Sequence, residues 1–297
     1  MLDLSQLERI AKEAAKNSFL VWQKLGEKGK EKKRVNAYGE IALTADLECG
    51  NAILDVLRKS EVPIRIYSEE DGVVDIGQKK PVFLGVLDGL DGTRVYSGVM
   101  KGHTRYGTSF AIFDGINPRY GDYLVSVFME HPTATLFYAV RGKGAWKQVG
   151  SGPPIKIATS SKMELDRDTS IIVDLLFDRV FAGDFMQRKF IDKLQGFNII
   201  RDCGSAQTGY LELATGNADA VCELTRKMNL EPAAAYALII EAGGEMLARD
   251  DSGITPLGDR RYLSFGQKEG DRFEFVTAAT SALAWSLSAQ LFSLNRL

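Results

Sequence analysis

Residues 81–93 read PVFLGVLDGLDGT: an apolar run closes on Asp88, and glycines carry the chain on to Asp91 and Thr93. The six residues Val82 to Leu87 predict a strand buried on both faces. Gly89 and Gly92 predict a tight turn directly behind it. Two carboxylates three positions apart at that junction converge on one point, and the peptide between them can add a carbonyl oxygen. Hard cations such as Mg²⁺ favour this all-oxygen setting, completed by water and substrate phosphate. Gly92 and Thr93 would open a helix whose free N–H groups favour a phosphate. The competing reading is an Asp-Gly turn without chemistry, since such pairs mark turns in many proteins.

The flanking sequence supplies further carboxylates and the elements to carry them. Glu69-Glu70 follows the strand-like IRIY of residues 64–67, so either side chain can reach the same sheet end as Asp88; a solvated loop is the alternative. Glu231 precedes Pro232, which predicts a helix starting at the proline with Glu231 as its cap. Glutamate is a poor cap, and a metal explains it better, although a plain surface glutamate fits equally. Four carboxylates crowded together would repel one another and take up protons, a conflict that divalent cations resolve.

Apolar positions at three- and four-residue steps predict an amphipathic helix over residues 4–25 and a second over 45–59. Between them GEKGKEKKR (26–34) is charged, glycine-broken and aperiodic, which predicts a mobile loop. Downstream, YGTSFAIFDG, YLVSVFMEHP and ATLFYAVRGKG read as an antiparallel meander. After the break SGPP (151–154) come a strand near 171–173 and helices through AQTGYLELATG and PAAAYALIIEAGG. The class is mixed α/β, divided into halves 1–150 and 151–297 that can share one core.

The 297 residues carry 37 basic and 39 acidic side chains, for a net charge of −2, so no basic excess points to nucleic acid or an anionic membrane. Three scattered cysteines without a CxxC pair argue against disulfides or structural zinc. No apolar stretch approaches the roughly 20 residues of a membrane span, and early charges at Asp3, Glu8, Lys12 and Glu13 argue against a signal peptide. A cytoplasmic protein is expected. Only two histidines occur, His103 and His131, too few for a zinc site and expected to be structural. Cys203 has no suitably placed histidine to make it a nucleophile.

DGLDGT resembles the DPxDGT signature of the inositol monophosphatase and fructose-1,6-bisphosphatase superfamily. Leu43-Thr44-Ala45-Asp46 resembles its VTxxD element, Ser68-Glu69-Glu70 its GEE, and RGKGAW (141–146) its RGxGAF. RDCGSAQTGYLELATGNADA (201–220) and AAAYALIIEAGG (233–244) resemble its GSA segment and the helix after its WD motif. The resemblance implies a layered αβαβα sandwich of the sugar phosphatase type with two sheets, dimerisation, and a Mg²⁺-dependent phosphomonoesterase. Two or three ions are implied per site. Glu69, Asp88 and the Leu90 carbonyl would hold the first; Asp88, Asp91 and Glu231 the second. Asp46 and Thr93 would position and deprotonate the attacking water, with Glu70 touching a third ion.

The same resemblance puts phosphate on the Gly92 and Thr93 amides and the leaving alcohol near Ser205, Ala206 and Gln207. Glu223 would accept hydrogen bonds from polyol hydroxyls, or be merely solvated or salt-bridged. Arg226, with Lys227, would hold a second phosphate, or belong to an exposed loop. The implied substrate is a small polyol or sugar phosphate, inositol monophosphate and/or fructose 1,6-bisphosphate; the alternatives are a 3′-phosphoadenosine 5′-phosphate phosphatase and an inactive regulatory binding protein. The chain departs from the pattern at three places. Gly89 stands for proline, which leaves the turn less rigid before folding. Leu230-Glu231 stands for WD, adding one methylene, ~1.5 Å, to the carboxylate's reach. Arg94-Val95-Tyr96 stands for TNF.

Overall fold

The computed structural model describes residues 2–36, 41–174, 192–201, 204–227, 230–262 and 273–292, and not the side chains of 174, 201 and 224–227. Helix α1 (Leu4–Leu25) starts at Asp3, whose carboxylate accepts from Gln6 N at 2.8 Å while Asp3 N donates to Gln6 Oε1 at 2.9 Å. That reciprocal pair satisfies two backbone donors and sets the helix start. Its buried stripe, Leu7, Ile10, Ala11, Ala14 and Ala15, meets helix α2 (Thr44–Lys59), which buries Ile53, Leu54 and Leu57.

Residues 26–34 form regular structure, contrary to the mobile loop that their charge predicts. Gly26–Lys30 forms a 3₁₀ turn, and strand β1 (Lys32–Val35) pairs antiparallel with β2 (Ile41–Leu43). Tertiary contact supplies what periodicity lacks: Tyr96 covers buried Gly29, where a Cβ would lie 2.1 Å from the phenol oxygen, and donates to the Gly26 carbonyl at 3.1 Å.

Strands β3 (Ile64–Ser68), β4 (Gly72–Ile76), β5 (Phe83–Asp91), β6 (Gly107–Asp114), β7 (Tyr123–Glu130), β8 (Thr135–Val140), β9 (Gly144–Val149) and β10 (Ile155–Ile157) form one sheet in the order β10-β9-β8-β7-β6-β5-β3-β4. Only β3 and β5 pair in parallel; from β5 to β10 the sheet is the antiparallel meander that the alternating runs predict. Side-chain alternation splits β5 between two cores: Phe83 and Leu87 face α1 and α2, whereas Leu84 and Val86 face the other way.

The second sheet comprises β11 (Ser170–Asp174), β12 (Asn198–Arg201), β13 (Ala220–Lys227), β14 (Glu245–Asp250), β15 (Gly253–Pro256) and β16 (Phe273–Ala278), ordered β12-β11-β13-β16-β14-β15. Between the sheets lie α4 (Ala206–Ala214) and α5 (Leu230–Ala242), which follow the short α3 (Thr93–Tyr96) in the chain. Helix α5 is apolar on nearly every face, as a helix covered on both sides must be. Helix α6 (Ser281–Phe292) packs Leu283, Leu287 and Leu291 on the outer face of the second sheet. The five layers run α, β, α, β, α, and one core cluster joins Val86 and Phe128 of the first sheet, Ala235 of α5 and Phe275 of the second.

Candidate active site

Strand β5 does not stop at Asp88 in a tight turn. It stays in the ladder to Asp91 through a bulge: Asp88 pairs with Ser109 and Asp91 with Gly107, so Gly89 and Leu90 together face the single residue Thr108. Of the two glycines only Gly92 is left-handed (φ +88°), closing the strand where α3 begins. Gly89 serves close approach instead, because a Cβ there would lie 2.0 Å from the Asp46 carbonyl oxygen. Its absent side chain lets the first turn of α2 rest on the bulge.

The bulge presents Asp88, 3 % exposed, with Oδ1 accepting from Leu90 N at 2.9 Å. Burial first, and then the negative charges of Glu69, Asp91, Glu231 and Asp46, raise its proton affinity well above the carboxylate range. Residues 46, 69, 88, 91 and 231 therefore share one field. Among the described residues no three acidic, histidine or cysteine side chains are already gathered tightly enough to enclose an ion. The two observations agree, since Coulomb repulsion in a buried site reaches well beyond coordination distance. An all-oxygen set of four acidic side chains around one buried carboxylate fits hard divalent cations.

Asp46, on the first turn of α2, is held at both oxygens. Oδ2 accepts from Leu43 N at 2.7 Å, and Oδ1 accepts from the Thr93 hydroxyl at 2.7 Å. That hydroxyl also lies 2.9 Å from the Leu90 carbonyl, so one proton faces two acceptors. Glu70 is buried beside this pair. Burial, then the Asp46 charge, pushes its pKa up to about 7. Among the described residues its Oε2 is buried without a hydrogen-bond partner, and Oε1 accepts a long contact of 3.5 Å from Asn36. A cleft of about 580 Å³ opens here, lined by Asp46, Glu69, Glu70, Thr93 and Arg94.

The second half of the chain grips the same bulge. Asp91 Oδ2 accepts from the Ser205 hydroxyl and from Gln207 N at 3.0 Å, at the start of α4. Ser205 Oγ in turn accepts from Thr208 N at 3.2 Å, capping the helix. Gln207 Nε2 donates to the Glu231 carbonyl at 2.8 Å, and its Oε1 is buried without a partner among the described residues. Ala206 opens α4. Helix α5 begins at Leu230, so Glu231 lies inside its first turn rather than capping it from outside as Pro232 predicts.

Glu223 stands on β13 opposite Phe275 and is 1 % exposed, which excludes the solvated alternative. The backbone of Arg226 and Lys227 continues β13, so this stretch is a strand and not the loop that its sequence predicts, while their side chains lie outside the described residues, as does Cys203. Of the residues replacing TNF, Val95 and Tyr96 are buried and Arg94 is on the cleft. His131 is buried, as expected of a structural histidine. Sequence reasoning overlooks Asn36 and Thr108. Neither carries a motif; opposition to the bulge, which singles out Thr108, exists only once the register is known.

Residues 3–277 match the inositol monophosphatase family. A "Fructose-1,6-bisphosphatase/inositol-1-monophosphatase" of Methanothermobacter thermautotrophicus is 27 % identical over 228 residues, covering 74 % of this chain and 75 % of that one. A "Bifunctional NADP phosphatase/NAD kinase" of Methanococcus maripaludis is 33 % identical over 235 residues, which are 73 % of this chain and 38 % of the relative. Among solved structures, an inositol monophosphatase from Anabaena superposes with a TM-score of 0.67 at 21 % identity, covering 100 % of this chain and 99 % of the other. One from Zymomonas mobilis gives 0.69 at 17 %, covering 98 % and 99 %. The alternating layers, the carboxylates around the bulge and a match over nearly the whole length lead to one conclusion: the chain belongs to the inositol monophosphatase family and is a phosphoric monoester hydrolase.

Proposed function

We propose that the chain is a Mg²⁺-dependent phosphomonoesterase that hydrolyses a small polyol or sugar phosphate, inositol monophosphate and/or fructose 1,6-bisphosphate, with water as nucleophile. The observation that carries this reading is Asp88, buried and flanked by four further carboxylates. Glu69, Asp88, Leu90 O, Asp91 and Glu231 would hold two ions, and Glu70 would touch a third. When bound, the ions lower the pKa of a water and stabilise charge on the departing alkoxide.

The chain's own groups do the rest. Thr93 donates to Asp46, so its remaining lone pairs can accept from the attacking water and orient it towards phosphorus. The Asp46 carboxylate, anchored by Leu43 N, is the end point for the water's proton. Gly92 and Thr93 amides would receive the phosphate. Ser205 Oγ and Gln207 N donate to the Asp91 carboxylate and hold it still, while Gln207 Nε2 donates to the Glu231 backbone carbonyl and ties α4 to the start of α5; the buried Gln207 Oε1 is an acceptor suited to a substrate hydroxyl. Glu223 and Arg226 complete the proposed substrate contacts, with residues 1–150 supplying most ion ligands and 151–297 most substrate contacts. A homodimer in the cytoplasm is part of the same proposal; among the described residues no helix is long and apolar enough to cross a membrane.

A nucleotide phosphate is a second reading, favoured by the relative named as an NADP phosphatase. Phosphate release with and without Mg²⁺ is the test, across inositol 1-phosphate, fructose 1,6-bisphosphate, NADP and 3′-phosphoadenosine 5′-phosphate. Mg²⁺-dependent turnover of either of the first two supports the proposal. Turnover of nucleotides alone replaces it with the second reading, and release that is unaffected by removing divalent cations sinks the metal mechanism.

A further inference from the structure

We propose that Thr108 and His131 are positioning residues for this reaction: a one-directional hydrogen-bond chain from the imidazole through the threonine hydroxyl to the Gly89 carbonyl holds the bulge that presents Asp88, Leu90 and Asp91. The inference rests on the metal reading of that bulge.

A bulge leaves backbone groups without ladder partners. Here the Gly89 carbonyl is the group concerned, and it finds the Thr108 hydroxyl at 2.8 Å from the opposite strand. A carbonyl can only accept, so the threonine proton is committed to it. The hydroxyl's second contact, His131 Nε2 at 3.1 Å, must then be donated by the imidazole. That assigns the neutral Nε2–H tautomer, with Nδ1 a bare acceptor. Nδ1 is indeed buried with no hydrogen-bond partner among the described residues.

The surroundings of His131 agree with this assignment. Phe19, Trp22 and Tyr106 surround the ring at centroid distances of 6.1, 5.0 and 6.3 Å. An N–H forced into that apolar enclosure would lose its hydrogen bond to water with no replacement, a larger penalty than an idle lone pair. Burial alone drives the imidazole pKa down to about 3, so the ring stays neutral. Cys49 also neighbours Thr108, but burial raises its pKa, and as a thiol it donates towards the Ser18 carbonyl at 3.7 Å. It does not compete for the threonine proton. Backbone bonds fix the histidine from behind, with His131 N donating to Tyr106 O at 3.1 Å.

Two measurements on the full-length protein test the chain. The first is a ¹⁵N-resolved imidazole spectrum of the metal-free protein near pH 7: an Nε2–H signature for His131 is expected, and an Nδ1–H tautomer or an imidazolium overturns the direction of the chain. The second compares Thr108→Val, which keeps shape and removes the hydroxyl, with Thr108→Ser, which keeps the hydroxyl. Mg²⁺ binding by calorimetry should weaken about tenfold or more in the valine variant and be close to wild type in the serine variant, with a parallel rise in the Mg²⁺ needed for half-maximal turnover. Wild-type Mg²⁺ affinity in a folded Thr108→Val protein overturns the positioning role while leaving the metal reading intact. A wild-type protein that binds no Mg²⁺ overturns both. If Thr108→Val does not fold, His131→Leu replaces it, with the same tenfold criterion and the same overturning result.

Discussion

Glycine at position 89 is required by contact rather than by backbone angle, because α2 lies where any side chain would go. Gly89→Ala should therefore push Asp46 away from Thr93. Overpacking of this kind costs about 1–3 kcal/mol, and a displacement of ~1 Å at a catalytic group can cost about 100-fold in turnover. Thermal unfolding and turnover should both fall; unchanged values would mean that α2 yields freely. Asp88 and Asp91, alike in sequence, should respond in opposite ways when made neutral. Both Asp88→Asn and Asp91→Asn should abolish turnover, yet in excess chelator the first should raise the melting temperature by relieving repulsion. The second should lower it, because about 1–3 kcal/mol of charge-assisted bonding from Ser205 and Gln207 is lost. Equal shifts of one sign would contradict the field that the five carboxylates share.

His131 sets a pH dependence of definite sign. An unfolded imidazole binds its proton near 6.5 and the folded one near about 3, so between those values the unfolded chain holds more protons and stability falls as the pH falls. Replacement by glutamine removes that contribution. Urea unfolding between pH 6.5 and 4 should show a slope flatter than wild type by up to about 1.4 kcal/mol per pH unit. An identical slope would show that the imidazole is not buried in solution.

At the scale of elements, what the sequence discloses follows periodicity, and what it conceals follows contact. The helices over 4–25 and 45–59 and the meander are legible because each buries one face at a regular period. The 3₁₀ turn and the β1–β2 hairpin are illegible, since a lysine-rich run has no apolar period and its order comes from Tyr96, some seventy residues away. The bulge looks like a turn in the sequence for a related reason: an Asp-Gly pair reads the same whether or not a neighbouring strand keeps the ladder going. The carboxylate set was legible through spacing and resemblance, whereas Thr108 and Asn36 depend on register and on the hairpin. Tyr96→Phe tests the contact argument. It should leave the fold intact at a cost of about 0.5–1.5 kcal/mol and open residues 26–30 to limited proteolysis, and an unchanged cleavage rate would place the source of their order elsewhere.

At the scale of the molecule, the site belongs to neither sheet alone. Glu69, Asp88 and Asp91 come from the end of the first sheet, Asp46 from α2, and Glu231 from the layer between the sheets. Ions that bind only this assembled set stabilise the whole fold, by about 2.7 kcal/mol at a hundred times the dissociation constant. Mg²⁺ should accordingly raise the temperature of a single cooperative transition, and a rise confined to one of two separate transitions would mean that the halves unfold independently. Ser205 donates to Asp91 across 114 intervening steps of chain. A ribosome adding about 5–20 residues per second needs roughly 6–23 s to cover that interval. For that long the acidic strand end has been made and its partner has not, so a newly synthesised molecule passes through a period in which it is charged, incomplete and open to any cation or chaperone that reaches it first.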